Sequence, residues 1–295
     1  MKVSNKNPDP LTSMVNYTEQ DLLRAIGRIE TLHACAHVLA KAFEILNDPD
    51  SNQMDLVDTI KTDTSLTSDI LRISNSAFYG GMMEIASLDD AIYRLGFREV
   101  MKLISISMSK QMFNKSLDHY GISAVHYWAE SAAVAATMEN FSIMFRDDRS
   151  YFFTLGILHS IGRLVIDQTL RDRGSKLVWD KSIPAEEWEV QNFGFDYTDS
   201  GHVLLTSWNF PQRILAVVLN QLTPDRVTNP PLALMCLNYS IRWCAAHHYF
   251  QVAPPEPPVM DRWLVEHKIS EDDLRELYDA SKKTFGELKD LAGVY

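Results

Sequence analysis

The side chains best suited to chemistry are few and dispersed. His33 and His37 stand four apart, a helical spacing that could turn two imidazoles toward one metal ion. Two ligands without a third make a poor metal site, and Ala34 stands where a zinc-protease motif carries glutamate. Histidines in solvent or at the edge of a core account for the pair more simply. Cys244 and His248, beside His247, repeat the spacing and meet the same objection. A small buried thiol suits Cys244, and Cys35 and Cys236 read as core as well. No Gly-x-Ser-x-Gly elbow and no glycine-rich loop before Lys-Ser or Lys-Thr occurs, which argues against a serine hydrolase and a P-loop. The most distinctive string is Asn75-Ser76-Ala77-Phe78-Tyr79-Gly80. It reads as a helix end whose aromatics pack under the second half of the chain while Asn75 holds loop amides; the sharper alternative is a ligand or partner surface. Trp188, Phe193, Phe195 and Tyr197 lie close together and form either core or a docking patch.

Few functions suit the bulk properties. The 295 residues carry 28 basic and 39 acidic side chains, a net charge of −11. That balance repels phosphate backbones, so nucleic acid is not an expected partner. The densest basic spots, Arg146/Arg149 and Arg171/Arg173/Lys176, are short and interleaved with aspartates. Three cysteines at these spacings form no disulfide framework and suit a reducing cytoplasm. The polar, proline-bearing start MKVSNKNPDPLTS is unlike a signal peptide. No apolar run approaches the roughly 18 residues of a membrane helix, so no membrane association is expected.

The elements that must position these residues read as helices throughout. Apolar residues recur at helical spacing, and strand alternation and hairpin turns are absent. After an extended arm, Thr18-x-x-Asp21 resembles a capping box. Helices follow near 33–46, 53–61, 65–75, from Ser87 to Gly96, and over 97–115, then 123–145 and 151–170. Ser182 is expected to cap a helix with Pro184 in its first turn. Helices over 196–208, 211–222 and 231–249 precede a proline-rich connector at 254–258, and Ser270 caps the last helix.

The order of motifs resembles the HDOD family, relatives of the HD metal phosphohydrolases. Residues 47–103 carry Leu66, Thr67, Leu71, Arg72, Asn75 to Gly80, Ile85, Ser87, Ala91, Ile92, Leu95 and Gly96 in the family's pattern. In the second half Trp128, Ser131, the string LGILHSIGRLVI (155–166), Gly194-x-Asp196-Tyr197-x-x-x-Gly201 and Trp208-x-x-Pro211 look like its HD-derived part. The resemblance covers about residues 20–290. It implies an all-α fold of two packed helical lobes: an arm at 1–17, an N-terminal lobe at 18–116 and an HD-like lobe at 117–295.

The resemblance also implies where a metal site would lie. An HD phosphohydrolase holds divalent metal through His and Asp side chains, and the metal activates water. Here the first histidine position falls on Glu130, and the His-Asp pair on His159-Ser160. A downstream histidine falls on Tyr197, just after Asp196, and a paired His-His on Asn220-Gln221. His159 is a good ligand and Glu130 a weaker one; the set is too poor to hold a metal tightly. Two readings of the remnant stay open. It is a hydrogen-bonded seam locking helix register, or a relict pocket that binds a ligand without cleaving it.

The expectation is therefore a non-catalytic bacterial signalling module with no cofactor, acting in the cytoplasm through a protein partner, with a small nucleotide as the other candidate ligand. Only about 16 residues precede the first helix, which leaves no room for a receiver and suggests a partner in trans. Two alternatives follow from the same residues. One is a divergent phosphohydrolase on nucleotides or cyclic dinucleotides, with metal on Glu130, His159 and Asp196 or His202. The other is a ligand sensor that uses the relict pocket or the cleft between the lobes.

Overall fold

The computed structural model describes residues 19–28, 33–47, 53–79, 84–249 and 261–293. The Thr18 capping box, Gly80 and the connector at 254–258 lie outside them. Every named element among the described residues is helical, in agreement with the all-α expectation. In order they are α1 (Glu19–Arg28), α2 (His33–Asn47), α3 (Gln53–Lys61), α4 (Thr64–Ser74), α5 (Leu88–Leu95), α6 (Phe97–Met112), α7 (Ala124–Phe145), α8 (Arg149–Leu158), α9 (Gly162–Asp172), α10 (Ala185–Phe193), α11 (Tyr197–Ser207), α12 (Gln212–Asn220), α13 (Leu232–Ala246), α14 (Arg262–Glu266) and α15 (Glu271–Ala292).

Local chemistry sets most helix starts. Asp63, Ser87, Ser123, Asp148, Asp196 and Ser270 each accept a backbone N–H from the first turn of the helix they precede. Ser270 and Asp273 close a full capping box. Ser182 does not cap α10: its hydroxyl turns back to Asp180, and the helix begins after Pro184. The short α14 was not anticipated, because five residues carry too little periodicity to register.

The central element is α6. Residues Val100 to Ser109 are all buried, so the middle of this helix has no solvent face. It packs on α2, α4 and α5 on one side and on α8 and α15 on the other. Its three buried serines each answer a different neighbour. Ser105 Oγ lies 2.9 Å from Thr154 Oγ1 of α8, Ser107 donates to Asp69 of α4 at 2.8 Å, and Ser109 accepts from Trp128 of α7 at 3.2 Å. Lys102, also buried, donates to Glu139 of α7 at 2.8 Å, and Arg149 meets the same carboxylate at 2.7 Å. A hydrogen-bonded buried charge is tolerable where an unpaired one is not. The first helix, α1, lies against α9, with Arg28 paired to Asp172 at 2.7 Å.

Helices α7 and α8 pack closely along their length, and glycine permits it. A Cβ on Gly156 would sit 2.3 Å from Ala135 Cα and 2.6 Å from Ala135 N. Backbone cannot yield as a side-chain tip can, so the two helices would have to part. Gly156→Ala is expected to destabilise the fold by about 3 kcal/mol, at the upper end of overpacking costs. Urea denaturation checks this; a loss under about 1 kcal/mol would mean that the helices separate easily.

Candidate functional site

The continuous helix expected over 151–170 is broken. α8 ends at Leu158, a turn covers His159 to Ile161, and α9 starts at Gly162. At this turn the chain approaches α11 closely. A Cβ on Gly162 would lie 1.9 Å from the Tyr197 carbonyl oxygen and 2.5 Å from Gly201 N. Two glycines on different helices thus bring the starts of α9 and α11 together, which explains the Asp196-Tyr197-x-x-x-Gly201 spacing.

Breaking a helix frees carbonyls, and buried carbonyls need partners. Gln221 Nε2 donates to the His159 carbonyl at 2.7 Å. Tyr127 Oη donates to the Ser160 carbonyl at 2.7 Å. Ser131 Oγ lies 3.3 Å from Ser160 Oγ. His159 Nδ1–H donates to the Gly156 carbonyl at 2.7 Å, which leaves Nε2 as the lone-pair nitrogen. Burial pushes the His159 imidazole down to about 3, and the nearby Arg163 charge acts in the same direction. His159 is therefore a neutral, buried side chain.

Glu130 has a partner on each oxygen. Its Oε1 accepts from Tyr249 Oη at 2.7 Å and its Oε2 from Arg163 Nη1 at 3.3 Å. The Arg163 guanidinium, 15% exposed, lies over the Tyr197 ring at 4.7 Å and within 6.0 Å of the Tyr120 ring centre. Behind the rings, Glu189 accepts from Tyr120 Oη and from Tyr197 N–H, both at 2.7 Å. Burial raises the Glu189 carboxyl to about 7, against the pull of Arg163 and of its two hydrogen bonds. Burial opposes the Arg163 charge too, but Glu130, Tyr197 and Glu189 outweigh it and hold the guanidinium firmly protonated.

The structure thus gathers Glu130, His159, Ser160, Tyr197 and Gln221. It leaves out Asp196, which is the N-cap of α11 and accepts from Thr198 N and Asp199 N. It also leaves out Asn220, whose amide returns to the Ala216 carbonyl in its own helix. His202 is only partly buried on α11. Arg163, Tyr127, Glu189, Tyr120 and Tyr249 belong to the cluster and were not singled out from the sequence. Arg163 alone carried a signal, as a charge inside the apolar string LGILHSIGRLVI.

This donor set does not fit a divalent metal. Glu130 already holds Tyr249 and Arg163, Ser160 brings no charge, Tyr197 offers a ring face, and Gln221 has only a neutral amide oxygen to give, so the His159 Nε2 lone pair is the one strong ligand left. No three His, Cys, Asp or Glu side chains among the described residues stand where they could hold an ion.

The other candidates resolve simply. His37 is exposed, and the side chains of His33 and Cys35 lie outside the described set. Cys236 and Cys244 are buried, and burial lifts the Cys244 thiol to about 12. Trp188, Phe193 and Tyr197 are buried and Phe195 partly so, in edge and tilted ring contacts, so the aromatic group is core. Asn75 clamps the loop after α4: its amide donates to the Leu71 and Ile85 carbonyls and accepts Ile85 N–H, at 2.8 to 2.9 Å. Ser76 continues that turn by accepting Tyr79 N–H at 3.1 Å. Tyr79 donates to Glu99 at 2.6 Å, whereas Phe78 is 46% exposed and not packed beneath the second half as expected.

The depressed His159 sets a pH dependence. Unfolded, the imidazole binds a proton below about 6.5; folded, it resists until about 3. The unfolded state therefore holds more protons in that window, and stability falls with acid by about 1.4 kcal/mol per pH unit. Glu189 acts in the opposite sense between 4.5 and about 7, so wild type is best compared with His159→Gln at each pH. The wild-type advantage is expected to shrink by about 2–3 kcal/mol between pH 7 and 4.5. A constant gap in urea denaturation would show that His159 is not buried neutral.

Comparison with known proteins bears on family and fold. The HDOD domain model matches residues 32–224. An uncharacterized protein of Treponema pallidum (strain Nichols) is 20% identical over 207 residues, 65% of this chain and 37% of that protein, so the chain spans little more than a third of its length. A candidate phosphohydrolase from Shewanella amazonensis SB2B superimposes with a TM-score of 0.64 at 22% identity, covering 95% of this chain and 98% of that one. A candidate signal transduction protein from Marinobacter aquaeolei VT8 gives 0.68 at 18% identity, over 93% of this chain and 65% of that one. At these identities the solved structures establish the fold. With its family model matched across both halves of the fold, the chain belongs to the HDOD family.

Proposed function

We propose that this protein is a non-catalytic signalling module of the cytoplasm that acts by binding a protein partner. The observation that carries the reading is the engagement of Glu130 by Arg163 and Tyr249 at the position where hydrolysis would need a free ligand. Ser160 supports it, because a serine hydroxyl facing Ser131 cannot supply the charge of an aspartate. Family membership and a fold shared with a candidate signal transduction protein are consistent with a regulatory role. No described helix is long and apolar enough to cross a membrane.

A ligand-sensing role is the second reading, and one cavity favours it. About 440 Å³ of space lies between the α5–α6 corner and the α7–α8 corner, lined by Arg98, Glu99, Lys102, Glu139 and Arg149. A ligand seated there would touch both halves of the chain.

Turnover assays test the main proposal. Wild type and His159→Ala, with Mn²⁺, Mg²⁺ or Fe²⁺, are expected to give equal, background hydrolysis of phosphomonoesters, nucleotides and cyclic dinucleotides. Metal-dependent turnover lost in His159→Ala would overturn it. The same variant is expected to retain partners captured by wild type from a lysate of the source cells; loss of capture with the fold intact would instead place the partner on the cluster. For the sensor, a ligand at 100 times its Kd adds about 2.7 kcal/mol, readily seen as a thermal shift that Arg149→Ala should abolish.

A further inference from the structure

We infer that the cluster is a cation site whose ligand is part of the chain: the Arg163 guanidinium occupies the place around which metal ligands would gather, and the surrounding residues are built to hold it. Arg163 touches two of the four positions of the metal pattern directly, Glu130 by an ion pair and Tyr197 through its ring face. Its neighbours come from four separate parts of the chain. Glu130 lies on α7, Tyr197 starts α11, Glu189 lies on α10, and Tyr120 belongs to the 3-10 turn at 118–120.

Helix electrostatics argue the same way. Arg163 is the second residue of α9, and a helix N-terminus repels a cation. An arginine there must be held by something stronger. The Glu130 ion pair and the faces of Tyr197 and Tyr120 supply it, and ring faces suit a planar guanidinium better than a spherical ion. Without Arg163, Glu130 would lose the cation that pairs with it.

Chemical rescue tests the inference. Arg163→Ala is expected to melt about 10 °C below wild type, as expected for a broken buried ion pair. Methylguanidinium at millimolar concentration should restore about 3 °C to this variant, saturably, and leave wild type unmoved. Glu130→Gln in the Arg163→Ala background should raise Tm above the single variant and abolish the rescue, because the carboxylate that ion-pairs with the guanidinium is gone. Lost packing alone would give neither effect. The inference is overturned if Arg163→Ala melts within about 2 °C of wild type, if methylguanidinium does not rescue it, or if Mn²⁺ stabilises the wild-type protein. Should Arg163→Ala fail to fold, a double-mutant cycle of Arg163→Lys with Glu130→Gln carries the test: coupled effects support the site, and additive ones overturn it. This inference stands apart from the proposed function. Turnover by wild type would end that reading and leave the rescue still to be scored, whereas failed rescue leaves the turnover result unaffected.

Discussion

A guanidinium buried at the start of a helix must be neutralised where it sits, and much of the second half of this protein is arranged to do so. Arg163 cannot reach solvent freely, and the dipole of α9 works against it. Its charge is answered by Glu130, its plane by the rings of Tyr197 and Tyr120, and its far field by Glu189. These side chains fix the positions of α7, α9, α10 and α11 relative to one another. Removing one member of such a set leaves the others with unsatisfied charge, so the set stands or falls together.

The break between α8 and α9 is the backbone counterpart of this constraint. Gly162 lies against the Tyr197 carbonyl, and Arg163 next to it lies over the Tyr197 ring. The turn at His159 to Ile161 delivers that geometry, and Gln221 and Tyr127 satisfy the carbonyls it releases. Gln221 is in turn anchored through its own carbonyl, which accepts from Asn238 at 2.7 Å. Residues at positions that would hold metal in an HD phosphohydrolase thus carry backbone hydrogen bonds. His159, neutral and turned to Gly156, is part of the same scaffold.

How much of this was legible in the sequence depended on the range of the interaction. Helix starts at Ser87 and Ser270 follow from side chains three residues from the amides they cap and can be read from a string, although Ser182, read the same way, turns back to Asp180. The clamp of Asn75 reaches Ile85, ten residues on, and was legible from the motif around it. The helix break was not. Residues 151–170 keep helical periodicity throughout, and only contact with Tyr197 and Gly201, some 35 to 40 residues on, shows why Gly162 must be glycine. The position-by-position likeness to the HD pattern identified Glu130, His159, Ser160, Tyr197 and Gln221, which do converge. It could not find Arg163, Glu189 or Tyr249, since their roles arise from what surrounds them. It also credited Asp196 and Asn220, whose side chains serve their own helices.

The account rests on the claim that the chain's own arginine, and no metal, completes this cluster. Elemental mass spectrometry of protein purified without chelator and then exposed to divalent metals tests it most directly. The account predicts well below one equivalent of any transition metal. About one equivalent, lost on His159→Ala or Glu130→Gln, would contradict it and return the protein to the metal-dependent hydrolases.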